Sequence, residues 1–258
     1  MNKTLFTFLI LLSHSLWGLT HVEYSKGFFT RIHVLIVNPI EHEIVPVKAK
    51  GRETVLSLVR EYKALAAVNG GFWKVDGTPA GALKIDNHWI GLPSKPRGSV
   101  GWSDKGRLVL FDRIMTYQKQ VVSETGFTSS EDWNQLQNIV GGTPLLIQNG
   151  IIIDDYTPEK VQSSFIDKRH PRTAVGLLAN GDWVFVVVDG RYLGFFGGMT
   201  LNELAQFMLD LHCVQAVNLD GGKSSTMVLE NKVINRPVGK IREEGKNVEK
   251  VSDAILIY

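Results

Sequence analysis

The sequence predicts an α+β fold, in which a few helices pack on a mixed and largely buried β-sheet to form a single domain. Aliphatic runs of strand length end abruptly in glycines and polar residues, which is typical of buried strands. Two other segments carry apolar residues at helical spacing. No linker or internal repeat divides the 258 residues, so we expect one folding unit.

The predicted elements of the first half follow one another closely. Two strands joined by a turn are predicted within 30–47, a short amphipathic helix over 53–63 and a buried strand over 64–68. Residues 76–98 hold many glycines and prolines and predict loops with short strands. A hairpin is predicted over 99–111 with its turn at Asp104-Lys105-Gly106.

The second half adds one more hairpin, one long helix and several strands. The hairpin turns at Asn149-Gly150, and the helix begins after Thr200, with Glu203 placed to complete a capping box. The charged segment 154–170 is a candidate flap. A short helix is predicted within 131–137, and strands are predicted over 174–178, 183–188, 214–219, 226–229 and 254–258.

The N-terminus has the layout of a secretory signal peptide over residues 1–20, followed by a domain over 21–258. Lys3 precedes an apolar run over 5–12, and small and polar residues follow over 13–20. We therefore expect a periplasmic or secreted protein with no stable membrane insertion after signal removal. An uncleaved anchor or a buried first helix is the alternative. Cleavage after Ser15, Gly18 or Thr20 fits the sequence.

The charge balance argues against a nucleic-acid partner. Lysine and arginine number 28 against 26 acidic residues, so any attraction for anions must be local. We predict no cofactor, because seven histidines and one cysteine show no zinc-ligand spacing. Asp189 or Asp220 could hold calcium or magnesium, but nothing in the sequence indicates such an ion. Cys213 is predicted to be a small buried hydrophobic residue.

Polar clusters stand at the tips of several predicted strands. Asn69-Gly70-Gly71, Asp189-Gly190-Arg191 and Asp220-Gly221-Gly222 each follow an apolar run, while His170-Pro171-Arg172-Thr173 precedes one. Because ligands often bind beyond strand ends, we expect these clusters to converge. For any single cluster, a turn or a helix cap remains the alternative.

The stretch after Leu219 combines groups suited to an anionic substrate. Asp220, Lys223, Ser224 and Ser225 supply a carboxylate, a cation and hydroxyls around two glycines. It is not a phosphate-binding P-loop, because that signature needs a glycine where Val217 stands.

Asp189 and Asp220 form a candidate carboxylate pair, and three cations are candidate anion ligands. These cations are Arg172, Arg191 and Lys223. His170 is a candidate acid–base group. Surface ion pairs, turns and caps are the alternatives for each of them.

Six segments in order resemble the phosphodiester glycosidase domain family. The resemblance covers roughly residues 64–258, with Lys223 standing where a small residue is expected. The matching segments are 67–73, 141–146, 170–176, 188–191, 198–205 and 218–225.

The resemblance implies hydrolysis of a small or polymeric glycosyl phosphodiester at the sugar's anomeric carbon, in envelope or phosphoglycan turnover. Asp220 would act as base or nucleophile, with Asp189 second. Arg172, Lys223 and the Gly221-Gly222 backbone would hold the phosphate. The other predicted binding residues are Asn69 and Thr200, which would position sugar or phosphate oxygens, and Gly70, Ser224, Ser225, Arg191 and His170.

Two other functions remain open at this point. One is a periplasmic protein that binds a glycan or phosphoglycan without cleaving it. The other is a phosphodiesterase that breaks the P–O bond instead of the glycosyl C–O bond.

Overall fold

The computed structural model describes residues 9–16, 18–103, 108–194 and 196–258. The strands are β1 (Leu9–Leu16), β2 (Leu19–Lys26), β3 (Thr30–Val37), β4 (Ile44–Glu53), β5 (Ala66–Asn69), β6 (Leu83–Ile85), β7 (His88–Gly91), β8 (Arg97–Trp102), β9 (Val109–Tyr117), β10 (Gln120–Ser123), β11 (Asn138–Gly141), β12 (Leu145–Gln148), β13 (Ile151–Ile152), β14 (Arg172–Leu178), β15 (Trp183–Val188), β16 (Cys213–Asn218), β17 (Met227–Leu229), β18 (Lys232–Val233), β19 (Ile241–Glu243), β20 (Lys246–Val248) and β21 (Val251–Ile257). The α-helices are α1 (Val55–Tyr62), α2 (Ser130–Gln135), α3 (Ser163–Asp167) and α4 (Leu201–Asp210).

Three sheets and one small hairpin make up the β-structure of the described residues. The largest sheet has the order β1-β2-β3-β15-β14-β16-β12-β13, and a second has the order β10-β9-β8-β11-β6-β7. The third has the order β18-β17-β5-β21-β4, and β19 pairs with β20. The predicted α+β class is confirmed, because strands dominate and a few helices pack on them.

The strand directions are simpler than the predicted mixed sheet. The ladders between the described strands are antiparallel, as in β14 with β15 and with β16, and an isolated bridge between Val238 and Asn247 is parallel. Hairpins and short loops join many neighbours, and such connections favour antiparallel pairing. The two strands predicted within 30–47 form, but β3 and β4 enter different sheets because both edges of β3 are already paired.

One core joins the three sheets into a single unit. Fully buried aliphatic side chains from each sheet meet in it, including Leu35, Val68 and Val100. Trp183 packs edge-on against Trp102 with ring centroids 5.1 Å apart, which links the largest sheet to the second. Because burial of apolar surface drives folding, this shared core fixes how the strand tips face one another.

Helices α1 and α4 each cover the outer face of one sheet. Helix α4 buries one apolar face against the largest sheet, and its predicted capping box at Thr200 and Glu203 is present. Helix α1 packs on the third sheet, where the Thr54 side chain accepts the N–H of Ser57 and caps the helix. Cys213 is buried as predicted, and burial raises the pKa of its thiol to about 12.

The predicted boundary between signal peptide and domain falls inside β2. Strand β1 pairs with β2 at the edge of the largest sheet, and Leu19 is buried opposite Val37. Lys3, Leu5 and the turn Asp104-Lys105-Gly106 lie outside the described residues. Within the described part of the chain, no helix is long and apolar enough to cross a membrane.

The candidate flap is anchored near its start. The buried Glu159 carboxylate accepts the N–H groups of Gly98 and Leu145 and the hydroxyl of Thr143, each at 2.8 Å. A 3-10 turn (Thr157–Glu159) and α3 shape the rest of the segment. Movement of this segment over a substrate stays a prediction.

Candidate functional site

The loop after β16 is held against two neighbouring strand ends. Leu219 donates its N–H to Thr173 at 2.8 Å, Asp220 donates to Gly70 at 3.2 Å, and Gly222 donates to Pro171 at 2.9 Å. A Cβ on Gly221 would approach the Pro171 carbonyl oxygen to 2.9 Å, which is too close for an ordinary side chain. The structure therefore brings three of the predicted polar clusters together.

Asn69 ties those clusters to one another from behind. Its Oδ1 accepts the Thr173 hydroxyl at 2.8 Å and the Thr226 N–H at 3.1 Å. Its Nδ2 donates to the Asp220 carbonyl oxygen at 2.6 Å. Because Asn69 is fully buried and its amide is already paired, it positions the loop and does not face a ligand.

The buried carboxylate of Asp253, a residue of β21, lies beneath the Asn69-Gly70-Gly71 turn. Its Oδ1 accepts the Gly71 N–H at 2.7 Å, and its carbonyl oxygen accepts the Gly70 N–H at 3.0 Å. A Cβ on Gly70 would overlap this carboxylate, so the turn requires glycine there.

A cavity of about 520 Å³ opens in front of these loops. Asp220, Gly221, Gly222, Lys223, Ser224 and Arg191 line it, as do Arg52, Phe72, Trp73, Lys240 and Glu249. The first six were predicted site residues, and the other five were not.

The cavity carries a surplus of positive charge. Four cations, Arg52, Arg191, Lys223 and Lys240, stand against two carboxylates, Asp220 and Glu249. Among the described residues, none of these groups forms a salt bridge within 4.0 Å. The cavity is therefore suited to an anionic ligand.

Neighbouring groups position two of the cations. The Arg52 guanidinium lies 4.7 Å from the centre of the Trp73 ring, a cation–π arrangement. Arg191 has a left-handed backbone, and its Nη2 lies 3.2 Å from His170 Nδ1. His170 stacks on Phe165 and contacts Arg191, and it is not among the residues that line the cavity.

Asp220 has the electrostatic character of an acid–base or nucleophilic group. Burial raises its pKa to about 6, and repulsion from Glu249 acts in the same direction. The Ser224 side chain, the Gly221 N–H and the Trp73 side chain lower the pKa and offset part of the burial effect. Near neutral pH the group is ionised and still able to take up a proton.

The backbone N–H groups of Gly221 and Gly222, which were predicted to hold the phosphate, are already paired within the protein. Gly221 donates its N–H to Asp220 Oδ1 at 2.9 Å, and Gly222 donates its N–H to Pro171. The side-chain cations are thus the groups left to hold an anion.

Arg172 lies behind the cavity and not in its wall. Its Nε donates to Met199 at 2.9 Å, and its Nη2 donates to the carbonyl groups of Phe165 and Lys168. The guanidinium also lies 4.6 Å from the centre of the Phe165 ring. Since Arg172 is fully buried, we assign it to positioning and not to phosphate binding.

Asp189 is separated from Asp220, so the structure does not bring the predicted carboxylate pair together. It lines a different cavity of about 250 Å³. Its Oδ1 accepts the Arg236 N–H at 2.8 Å and the Asn235 Nδ2 at 3.2 Å, while His33 Nε2 lies 3.7 Å from Oδ2. Glu249, not Asp189, is the second carboxylate that lines the cavity of Asp220.

Two predicted hydroxyl groups also lie elsewhere. The Thr200 hydroxyl accepts the Glu203 N–H at 3.1 Å and caps α4. Ser225 is buried and does not line the cavity, whereas Ser224 does. In the described part of the chain, no cluster of three or more His, Cys, Asp or Glu side chains could hold a metal ion.

Sequence patterns offered little warning of the additional site residues. Phe72 and Trp73 follow the Asn69-Gly70-Gly71 cluster directly, and that adjacency was the only available signal. Arg52, Lys240 and Glu249 come from segments without a recognisable motif, and only the fold brings them to the cavity.

The fold and the cavity define a sheet-rich domain in which a carboxylate of raised pKa, Asp220, lies with Glu249 among four cations. The sequence profile described as phosphodiester glycosidase matches residues 62–258, which is most of the chain. The chain therefore belongs to the phosphodiester glycosidase family, as its motifs predicted.

Individual relatives are distant. The chain is 28% identical over 189 residues to the SPbeta prophage-derived uncharacterized protein YomE of Bacillus subtilis, covering 71% of this chain and 27% of that protein. It is 28% identical over 204 residues to human N-acetylglucosamine-1-phosphodiester alpha-N-acetylglucosaminidase, covering 73% of this chain and 36% of that enzyme. The chain thus spans about a quarter to a third of these curated relatives.

A solved structure shares the fold. The zebrafish N-acetylglucosamine-1-phosphodiester alpha-N-acetylglucosaminidase catalytic domain, auto-inhibited by its pro-peptide, superimposes with a TM-score of 0.69 at 22% identity. The match covers 98% of this chain and 82% of that one.

Replacing Asp253 with asparagine should make stability less sensitive to pH. Burial, with repulsion from Asp220, raises the pKa of Asp253 to about 7 from an ordinary value of 3.8. The folded protein then binds this proton more tightly than the unfolded chain, so stability is greatest at low pH and falls as pH rises toward 7. Near pH 8 we expect the free energy of unfolding of Asp253→Asn to exceed that of the wild type by ~2–4 kcal/mol.

Chemical denaturation at pH 5 and pH 8 measures this difference. Asp210→Asn, at an exposed position, is the matched control, and its free energy of unfolding should match that of the wild type at both pH values. An Asp253→Asn protein whose stability changes with pH as steeply as the wild type would contradict the assignment.

Proposed function

We propose that this domain hydrolyses glycosyl phosphodiesters by breaking the C–O bond between the anomeric carbon and the phosphate oxygen. The observation that carries the proposal is the cavity of Asp220, where one carboxylate of raised pKa lies among four cations. Family membership supports the same reaction class, and the names of the human and zebrafish relatives describe action on a sugar phosphodiester.

The cations suit the leaving group of this reaction. A phosphate diester departs as a weakly basic phosphate monoester, so its departure needs charge stabilisation more than proton donation. Arg191 and Lys223 lie beside the Asp220 loop, and Arg52 and Lys240 line the same cavity. We assign the phosphate to this group, with Arg191 as the best-positioned member because its guanidinium lies against Gly222.

Asp220 acts at the sugar. In its ionised form, the carboxylate stabilises the oxocarbenium-like centre and either attacks the anomeric carbon or takes a proton from an attacking water. In both routes the electrons of the C–O bond leave with the phosphate oxygen, and the water oxygen ends on the sugar. Glu249 lies close enough to raise the pKa of Asp220 and favours proton uptake by it.

Hydrolysis in ¹⁸O-labelled water tests which bond breaks. We expect the label on the anomeric hydroxyl of the released sugar, since water oxygen replaces the phosphate oxygen at carbon. Mass spectrometry of both products reads this out with N-acetylglucosamine 1-(methyl phosphate) as substrate. Label on the phosphate would assign a phosphodiesterase, and specific binding without turnover would assign a binding protein.

Asp220→Asn should lower kcat/KM by about 10²–10⁴-fold while the protein stays folded. The amide can neither accept the proton nor attack carbon. In the wild type, kcat/KM should fall about tenfold per pH unit below pH 6, as the carboxylate with a pKa of about 6 becomes protonated.

Asp210→Asn removes an exposed carboxylate and should leave both the rate and the pH profile unchanged. Thermal melting of each variant separates a catalytic defect from unfolding. Full activity of a folded Asp220→Asn protein would remove Asp220 from the mechanism.

We also propose that the domain acts outside the cytoplasm, in line with the predicted signal peptide. Cleavage after Ser15 or Gly18 keeps β2 whole, whereas cleavage after Thr20 would remove the buried Leu19. Strand β1 lies at a sheet edge, so its loss leaves the remaining strands paired. N-terminal sequencing of the exported protein should begin at Leu16 or Leu19, and a cytoplasmic chain retaining Met1 would contradict export.

A further inference from the structure

A second, smaller cavity adjoins the first. It measures about 190 Å³, and Phe72 lines both cavities. Lys95, Arg97 and Lys160 supply its positive charge, and Glu159 supplies the opposing carboxylate. These four charged residues do not belong to the sequence motifs that surround Asp220.

The Glu159 carboxylate in this cavity already has hydrogen-bond partners within the protein. Both oxygens of Glu159 accept hydrogen bonds, from two backbone N–H groups and from the Thr143 hydroxyl. In the described residues, no salt bridge within 4.0 Å neutralises Lys95, Arg97 or Lys160. Three cations against one bonded carboxylate leave the cavity positive.

The guanidinium of Arg97 carries an unused donor. Its Nε is buried and has no hydrogen-bond partner among the described residues. Buried donors are normally paired, and the residue that carries this unpaired donor lines the positive cavity, which indicates a missing acceptor. A phosphate oxygen satisfies a guanidinium donor well, because the charged hydrogen bond is short and strong.

The wall between the cavities is fixed in place. Phe72 packs edge-on against Phe165 with ring centroids 6.1 Å apart. The Arg172 guanidinium lies 4.6 Å from the centre of the Phe165 ring. Phe72 belongs to the same loop as Gly70 and Gly71, which Asp253 holds. A ligand spanning both cavities would therefore pass a rigid aromatic residue.

We propose that this cavity is a subsite for a second phosphate group of the substrate, so that the preferred substrate is a glycosyl phosphodiester bearing another phosphate. This inference rests on the proposed function, because that function assigns the bond that breaks to the Asp220 cavity. Lys95, Arg97 and Lys160 hold the second phosphate while the Asp220 cavity holds the bond that breaks. Segment 154–170 contributes Glu159, Lys160 and Phe165 to this subsite.

Calorimetric binding to two synthetic oligomers tests the subsite. One oligomer joins two N-acetylglucosamine units through one phosphodiester, and the other joins three units through two. In an Asp220→Asn background, which suppresses turnover during the titration, the protein should bind the two-phosphodiester oligomer at least about tenfold more tightly. Lys95→Gln/Lys160→Gln should lose this preference and bind the shorter oligomer as before.

The control removes the same charge elsewhere. Lys119→Gln/Lys232→Gln replaces two exposed lysines outside both cavities and should keep the preference. Inorganic phosphate is the probe for free-phosphate binding, and it should compete with the second phosphodiester only at much higher concentration.

The outcomes separate the two proposals. Equal affinity for both oligomers, or a preference that survives in Lys95→Gln/Lys160→Gln, overturns the subsite. Turnover of both oligomers with equal affinity leaves the hydrolase and removes the subsite. A preference without any turnover keeps the subsite and overturns the hydrolase.

Discussion

The cavity depends on the side chain of one buried residue, Asn69. Its amide joins the end of β5 to β14 through Thr173, to the segment before β17 through Thr226 and to the loop after β16 through Asp220. The bonds to Thr173 and Thr226 are buried and the bond to Asp220 is partly buried, and an unmade buried hydrogen bond costs about 1–3 kcal/mol. The loop therefore has little freedom to move relative to the strand ends, and the Asp220 carboxylate keeps a fixed direction.

Steric fit explains the glycines better than contact with a ligand does. Gly70 leaves room for the Asp253 carboxylate, and Gly221 allows close approach of the Pro171 carbonyl. The N–H groups of Gly221 and Gly222 are used within the protein. A glycine-rich motif can thus mark a candidate functional loop because the backbone must pack tightly there, while neighbouring side chains line the cavity.

The sequence was sufficient for the main buried strands β5, β14, β15 and β16, for the capped helix and for the convergence of three polar clusters, but not for β1, β10, β19 and β20. Local patterns determine these features, as with Thr200 and Glu203 in the capping box. It was not sufficient for side-chain direction. Arg172 and Asp189 stand beside the right strand tips, but successive side chains in a strand point to opposite faces, so proximity along the chain did not place them in the cavity.

Long-range pairing accounts for the residues that local patterns missed. Asp253 reaches the Asn69-Gly70-Gly71 turn because Ala254 of β21 pairs with Asn69 of β5, a register that no local pattern contains. Its burial near Asp220 places two carboxyl groups within electrostatic reach, and ionising both is unfavourable at low dielectric. The four cations that line the cavity suit it to an anion. Under the proposed function, a bound phosphate would add negative charge beside Asp220 and raise the pKa of its carboxyl group further, which favours proton uptake there.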